Sequence, residues 1–393
     1  YYDPWKRDAS GSHEVVGGIL TAPYGSGVYI QKGTFNMYGG TIVGNKGNSN
    51  KGGGVFIGFN ENNNTFNMYG GAITGNRVSG ENGTNDGGAG VYVRGRGNTF
   101  NMYGGEITNN ATTGYASGGG VNVYDGGTFH MYGGIIGGEG KGNTSTWGGG
   151  GVYVSNSTFT MSGTAKIANN LTVYAKGGSS GGGVDVSDST FTMSGDAEIV
   201  NNKTADKQSS GGGVYMSGGA FTMNGGKITG NSCGSDAYSN GGGVCVNEGT
   251  FTVSGNVQIT GNTKDGSANN VYLGSYNNDP MATVTIGGEL TCGAGSIGVT
   301  AESPAVNVVV ATGTSLTDEV AAKFKSDDRA YKVAVKEDDS TKLVLKDKPH
   351  EHYLCGGDHC TGVGGHQDSL TTFQAWTSTT SLPKEAGSYY LTN

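Results

Sequence analysis

The residues with the clearest potential for metal chemistry lie near the C-terminal end of the sequence. Residues 350 to 366 hold four of the six histidines of the chain and two of its five cysteines. Imidazole and thiolate groups are zinc ligands, and four of them complete a tetrahedral site. The sequence therefore predicts a zinc ion bound by some of the following side chains: His350, His352, Cys355, Cys360 and His366. Because the spacing matches no standard zinc finger, a Cys355–Cys360 disulfide and a solvated linker without metal stay open as alternatives.

Acidic side chains that could act as catalytic groups are few and scattered. A polysaccharide lyase needs an acidic calcium cluster with a basic residue, and a glycoside hydrolase needs two carboxylates at a fixed separation. The acids expected at outward positions are Glu106, Asp185, Asp196 and Glu198, and they do not converge on adjacent repeats. The sequence therefore predicts a protein that is not an enzyme.

Aromatic residues recur in two columns that could bind a sugar or a protein partner. The middle residue of a repeated Val-x-Val phrase is Tyr29, Phe56 and Tyr92 in the first three repeats. Because side chains alternate across a strand, these rings are expected to point outward and to form a binding ladder. A second ladder follows the phrase Phe-x-Met and consists of Tyr38, Tyr69, Tyr103 and Tyr132. Stacked tyrosines that only stabilise the flank of the fold are the alternative.

Variable loops between the repeats provide a third group of candidate binding residues. They carry Tyr115, Trp147, Tyr174 and Tyr238. Loops of variable sequence on a rigid scaffold are common binding sites, and an exposed indole on a glycine-rich loop has little structural reason. We therefore expect these four aromatic side chains to contribute to binding.

A repeat of about 30 residues positions all of these side chains. The phenylalanine of the Phe-x-Met phrase returns eight times, at intervals of 29 to 34 residues, as Phe35, Phe66, Phe100, Phe129, Phe159, Phe191, Phe221 and Phe251. Short alternating phrases bounded by glycine are typical of strands rather than helices. Each repeat is predicted to supply three strands, with valine, phenylalanine and isoleucine stacked into one continuous core. An asparagine three residues after each isoleucine is predicted to form an inward ladder, which only Glu139 of the fourth repeat interrupts.

Composition narrows the classes of partner. The net charge is −8 and charged residues make up 14% of the 393-residue chain, which argues against nucleic acid as a ligand, since phosphate binding needs clustered basic residues. No apolar run approaches the ~20 residues of a membrane helix, so membrane insertion is not expected. The sequence lacks a signal peptide and an initial methionine, which favours a fragment of a longer exported protein, monomeric within that chain.

The phrases GGGVYV, TFTMSG and IxxN resemble the β-helical repeat regions of large surface proteins, adhesins among them, from Gram-positive gut bacteria. More broadly, the pattern is similar to the right-handed parallel β-helix of the pectate-lyase-like fold. The resemblance covers residues 25 to about 300. It implies an all-β, right-handed parallel β-helix solenoid of about nine coils, located outside the cell on a bacterial surface.

The chain is predicted to divide into five parts. Residues 1–24 are an N-terminal cap or partial coil, residues 25–302 are the β-helix, and residues 303–346 are a small α+β cap with a short helix over 317–324. Residues 347–367 form the Cys/His linker, and residues 368–393 begin a following module.

The predicted function is that of a non-enzymatic binding or adhesion module that recognises a host glycan, glycoprotein or immunoglobulin. A structural stalk without ligand is the first alternative, and a polysaccharide lyase or glycoside hydrolase is the second. Apart from the zinc ion in the linker, no cofactor is expected.

Overall fold

In the computed structural model of the chain, the described residues are 14–16 (backbone only), 27–47, 52–58, 63–80, 87–173, 180–205, 209–235, 239–275 and 280–348. The chain divides into two compact units, Tyr1–Asp347 and Lys348–Asn393, and the described elements belong to the first unit.

The first unit is an all-β parallel solenoid of about nine turns. Equivalent strands of successive turns pair in parallel and in register, as Phe100 does with Phe66 and Phe129. The predicted fold class is therefore confirmed, while the right-handed sense and the five boundaries stay predictions. Each of the first six turns holds four strands rather than the three predicted, because a short strand follows each inward asparagine. In the seventh and eighth turns the first three strands are continuous, as Val214–Thr229 and Val244–Thr260.

Strands in equivalent positions form four columns. The first column carries the Val-x-Val phrase in Val28–Ile30, Val55–Gly58, Val91–Arg94, Val121–Tyr124, Val152–Ser155, Val184–Ser187, the start of Val214–Thr229, the start of Val244–Thr260, and Val271–Leu273. The second column carries the Phe-x-Met phrase in Thr34–Met37, Thr65–Met68, Thr99–Met102, Thr128–Met131, Thr158–Met161, Ser189–Met193, the middle of the same two long strands, and Val284–Leu290.

The remaining columns complete each turn. The third column contains Glu14–Val16, Thr41–Val43, Ala72–Thr74, Glu106–Thr108, Ile135–Gly137, Lys166–Ala168, Glu198–Val200 and the ends of the two long strands. The fourth column contains Lys46–Gly47, Arg77–Gly80, Ala111–Gly114, Thr144–Ser145, Leu171–Thr172, Lys203–Thr204, Ser232–Cys233 and Thr263–Lys264, and the antiparallel strand Ser267–Ala268 ends it.

The core is a stack of identical side chains from successive turns. The rings from Phe35 to Phe251 stack with centroids 4.4 to 5.4 Å apart, and all but the half-buried Phe35 are fully buried. Valine, methionine and isoleucine columns enclose this stack. No single turn could bury these side chains alone, so the core exists only because the turns stack.

Buried asparagines connect every turn to the next. Asn110 donates its backbone N–H and its side-chain N–H to Oδ1 of Asn143, which in turn donates both to Asn170. The expected interruption at Glu139 is therefore wrong, since Asn143 takes the ladder position. In the fourth turn the asparagine therefore comes four residues later than in the other turns. The additional residues form a turn over 138–140, in which Gly138 and Gly140 have positive φ.

The last described residues add a different arrangement. Strand Ile297–Ala301 pairs with Val271–Leu273 and Phe324–Ser326, and Val309–Thr312 pairs with Val284–Leu290. Tyr331–Lys336 and Asp339–Asp347 form an antiparallel hairpin. The helix Asp318–Ala322 begins after the N-cap Thr317, within the predicted stretch. That this region caps the solenoid stays a prediction.

Candidate functional site

The first aromatic ladder exists, but it is not a binding surface. Tyr29, Phe56 and Tyr92 stack with centroids 5.3 and 5.2 Å apart. Phe56 and Tyr92 are 0% exposed, and Tyr29 is half-buried. The expectation that these rings face solvent is therefore wrong, although their direction away from the core was predicted correctly.

A glycine four residues before each ring packs against it, Gly52 against Phe56 and Gly88 against Tyr92. A Cβ on Gly88 would lie 2.9 Å from Cβ of Tyr92, and the positive φ of Gly88 (+80°) allows the close approach. In the third to sixth turns, a hydroxyl of the fourth-column strand donates to a carbonyl at the start of the next glycine phrase, such as Thr112 Oγ1 to the carbonyl of Ala116 at 2.9 Å. Strand alternation predicted the direction of the side chain, but not the close approach of the glycine four residues earlier.

The corner loops bring two of their four aromatic residues into contact. The rings of Tyr115 and Trp147 lie 5.4 Å apart at 56°, and both side chains are half-buried. Thr146 Oγ1 donates to the carbonyl of Gly114, which fixes the two loops together. Trp147 is therefore a packed residue rather than the exposed indole expected. Tyr174 and Tyr238 lie outside the described residues.

The second column presents the clearest candidate binding surface of the described residues. Each turn contributes two outward side chains from its Phe-x-Met strand and one from the residue after it, and we call the first four rows the Thr-Asn-Tyr face. Its residues are Thr34, Asn36, Tyr38, Thr65, Asn67, Tyr69, Thr99, Asn101, Tyr103, Thr128, His130 and Tyr132. Tyr38 is 74% exposed and the other three tyrosines are 43 to 45% exposed. In turns five to eight the three columns continue as threonine, alanine, serine and asparagine, without an aromatic ring.

The tyrosines of this face are rigidly spaced. Their ring centroids lie 4.9, 4.9 and 5.1 Å apart, and the ring planes are within 14° of parallel. Because each inner ring is covered on both faces by its neighbours, the surface presents ring edges and phenol groups. Beside them, Asn67 donates to Asn36 at 2.8 Å and Asn101 donates to Asn67 at 2.9 Å. The face is therefore a regular array of hydroxyl and amide groups.

The Thr-Asn-Tyr face contains no Asp, Glu, Lys or Arg. Its one titratable side chain besides tyrosine is His130, whose pKa is lowered by burial, and whose Nδ1 lies 2.7 Å from Thr160 Oγ1. Charged side chains occur in the third and fourth columns, where the Lys166 ammonium lies 2.8 Å from Glu198. A ligand on this face would meet polar but uncharged groups.

The expected outward acids do not form an exposed cluster. Asp185 is buried between Tyr153 and Tyr215 in the first column, and burial raises the pKa of its carboxyl well above the ordinary value. Its expected exposure is wrong for the same reason as that of Phe56. Glu106 and Glu198 each contact a lysine, at 3.4 and 2.8 Å.

Within the described ranges, no group of three or more His, Cys, Asp or Glu side chains is placed to hold a metal ion. The predicted zinc ligands His350, His352, Cys355, Cys360 and His366 lie outside these ranges. No helix in the described part of the chain is long and apolar enough to cross a membrane.

Comparison of this sequence and structure with protein-family models, curated proteins and solved structures found no match.

Proposed function

We propose that this chain is a non-enzymatic binding module of an extracellular bacterial surface protein, and that its Thr-Asn-Tyr face binds a neutral glycan. The surface location and the relation to adhesins and to the pectate-lyase-like fold rest on the resemblance of the repeat phrases. The observation that carries the binding proposal is the exposed, evenly spaced tyrosine ladder beside an amide ladder.

The chemistry of the face favours a glycan. A polymer of neutral sugars repeats hydroxyl groups along its length, and the face repeats phenol, amide and threonine hydroxyl groups along the solenoid. Sugar hydroxyls can both donate and accept hydrogen bonds, as phenol and amide groups do. An anionic ligand would find no cation on the face, and nucleic acid is disfavoured on the same ground. A glycoprotein, including a glycosylated immunoglobulin, fits through its glycans.

The stalk alternative is supported by the same tyrosines. Rings that stack on each other contribute to stability whether or not a ligand is present. A stalk would retain no glycan, either as the parent or after loss of the exposed phenol groups. A binding module would retain glycan as the parent and lose it in the variant, so one experiment distinguishes the two functions.

The test is a glycan array and a host-protein pull-down, immunoglobulin included, with the 393-residue chain and two variants. The first variant is Tyr69→Ser with Tyr103→Ser, since serine occupies the equivalent position at Ser162 and Ser194 and fits the backbone. The matched control is Ser162→Ala with Ser194→Ala, on the part of the column without rings. We expect retention of neutral glycans by the parent and the control, and a loss of about tenfold or more in affinity for the tyrosine variant.

Three results would overturn the proposal. If the parent retains no neutral glycan, the stalk is favoured. If immunoglobulin or another protein is still retained after enzymatic removal of its glycans, the partner is a protein. If incubation with pectin, alginate or mucin glycans releases reducing or unsaturated ends, the chain is an enzyme.

A further inference from the structure

A cleft opens on the flank of the late turns, beside the first column. Its volume is about 290 Å³, and its walls include Tyr215, Cys245, Tyr272 and Glu302. Ser180, Ser210, Asn240, Asn247, Gly274 and Ser275 complete the lining. The cleft is formed by the first column and the loops beside it, whereas the Thr-Asn-Tyr face belongs to the second column of the early turns.

The cleft coincides with a missing ring. In register, Tyr215 pairs with Cys245, and Cys245 pairs with Tyr272. In the first three turns every position of this column holds a ring that stacks on the next one at 5.2 to 5.3 Å. Here a small thiol stands between two tyrosines that are two strand spacings apart, about 9 to 10 Å. Both tyrosines are half-buried, while Cys245 is 3% exposed and forms the floor.

The rim of the cleft is polar and closely connected. Glu302 Oε2 accepts hydrogen bonds from the backbone N–H of Ser275 at 2.9 Å and from its hydroxyl at 2.5 Å. The Asn240 backbone N–H donates to Ser210 Oγ at 3.2 Å, and Asn240 Oδ1 accepts from the Lys264 ammonium at 3.2 Å. These bonds hold hydroxyl, amide and carboxylate groups in fixed positions around the opening.

Size and chemistry restrict the ligand to one class. A volume at the low end of the range for ligand pockets suits a single six-membered ring rather than a chain. Serine, asparagine and carboxylate groups around aromatic side chains suit a ring with several hydroxyl groups. The Glu302 carboxylate disfavours an anionic ligand. We propose that this cleft binds one neutral pyranose ring above Cys245 and between Tyr215 and Tyr272, with Glu302 accepting from its hydroxyl groups.

The experiment is titration of the 393-residue chain with a panel of neutral methyl pyranosides, monitored by saturation-transfer NMR and calorimetry. Cys245→Phe fills the cleft with a ring that the same column accommodates at Phe56. Cys245→Ser keeps the side chain small and is the matched control. We expect at least one pyranoside to bind the parent and the serine variant with equal affinity, and the phenylalanine variant about tenfold or more weakly.

A second variant guards against misfolding of the first. Tyr272→Ser removes one wall from a half-buried position and is expected to weaken the same pyranoside by a similar factor, while circular dichroism shows that the variant is folded. The proposal is overturned if no pyranoside binds saturably, or if the Cys245→Phe chain binds as the parent does. It is also overturned if Tyr69→Ser with Tyr103→Ser abolishes the binding, because the ligand would then lie on the other face. The cleft proposal and the Thr-Asn-Tyr face proposal can fail separately, because the variants that test them lie in different columns.

Discussion

Asp185 places a carboxyl group where neighbouring turns carry rings or an amide. It pairs with Tyr153 on one side and Tyr215 on the other, and it is buried. Removing a carboxylate from water disfavours its charged form, so its pKa in the folded chain is raised well above the ordinary value. The protonated side chain is therefore the form that the fold accepts.

The first prediction concerns the pH dependence of stability caused by this carboxyl. Stability associated with the protonated carboxyl is fully present below the pKa of an unfolded aspartate, and it is lost as the pH rises through the raised folded pKa. The change Asp185→Asn removes this loss, so we expect equal thermal midpoints near pH 4 and a higher midpoint for the variant near pH 8. Thermal unfolding monitored by circular dichroism across this range measures the difference.

The matched control places a carboxyl group at Asn122, a buried amide in the same column as Asp185. Asn122→Asp should introduce the loss of stability at high pH that Asp185→Asn removes. A difference between parent and Asp185→Asn that stays constant from pH 4 to pH 8 would show that ionisation of Asp185 does not limit stability.

At the scale of the element, the asparagine ladder is the main polar connection between turns. Asn170 Oδ1 accepts from the backbone and side-chain N–H groups of Asn143, and Asn170 Nδ2 donates to the carbonyl of Ile136 at 2.9 Å. All of these atoms are buried. A buried polar group that loses its partner costs roughly 1–3 kcal/mol.

The second prediction is that Asn170→Ala lowers the free energy of unfolding by more than about 2 kcal/mol, because several buried groups lose their partners at once. Asn101→Ala is the control, since its hydrogen bond to Asn67 lies on the partly exposed face where water can replace it, and it should cost below about 1 kcal/mol. Denaturant unfolding measures both. Equal costs for the two variants would mean that burial does not distinguish the two ladders.

At the scale of the whole molecule, one carboxylate joins the end of the ladder to the C-terminal region. Asp327 accepts from the backbone and side-chain N–H groups of Asn270, both at 2.7 Å, and from Thr300 Oγ1 at 2.8 Å. The ladder that begins in the early turns therefore ends on a charged acceptor, and hydrogen bonds to charged groups are stronger than neutral ones.

The third prediction is that Asp327→Ala destabilises the chain by roughly 2–4 kcal/mol, since two donors of Asn270 and the Thr300 hydroxyl lose a charged acceptor. Asp328→Ala provides the comparison, because this neighbour is exposed and accepts only a local bond from Ala330. Midpoints of urea unfolding compare the two variants. If Asp328→Ala costs as much as Asp327→Ala, the connection to the ladder is not what stabilises this region.

The fourth prediction concerns the zinc ion in the Cys/His linker, residues 347–367. A short polar segment cannot bury enough apolar surface to fold alone, and a bound metal ion would supply folding free energy directly. Metal analysis of protein purified without a histidine tag should find about one zinc per chain, and Cys355→Ser with Cys360→Ser should remove it. Less than about half an equivalent of zinc, with the two cysteines joined in a disulfide, would contradict the prediction.

The sequence was sufficient to predict the solenoid because the repeat is regular. The Phe35 to Phe251 positions share one internal column, and the isoleucines share another, since an identical phrase in each turn leaves only one register that buries them together. The Thr-Asn-Tyr face results from the same register, because Tyr38 and its equivalents stand one residue beyond a buried methionine. These features depend on residues within a single phrase.

Three features were decided only by the tertiary structure: the burial of the first aromatic ladder, the ladder residue of the fourth turn, and the cleft. The burial of Phe56 and Tyr92 depends on how closely Gly52 and Gly88 approach them, which strand alternation does not specify. The replacement of Glu139 by Asn143 in the ladder depends on how an inserted turn folds away from the column. The cleft around Cys245 includes Tyr272 and Glu302, which lie beyond the last turn that carries the Phe-x-Met phrase or its Phe-x-Val variant. Periodicity determines which side chains stack on each other, whereas irregular connections determine which of them reach solvent.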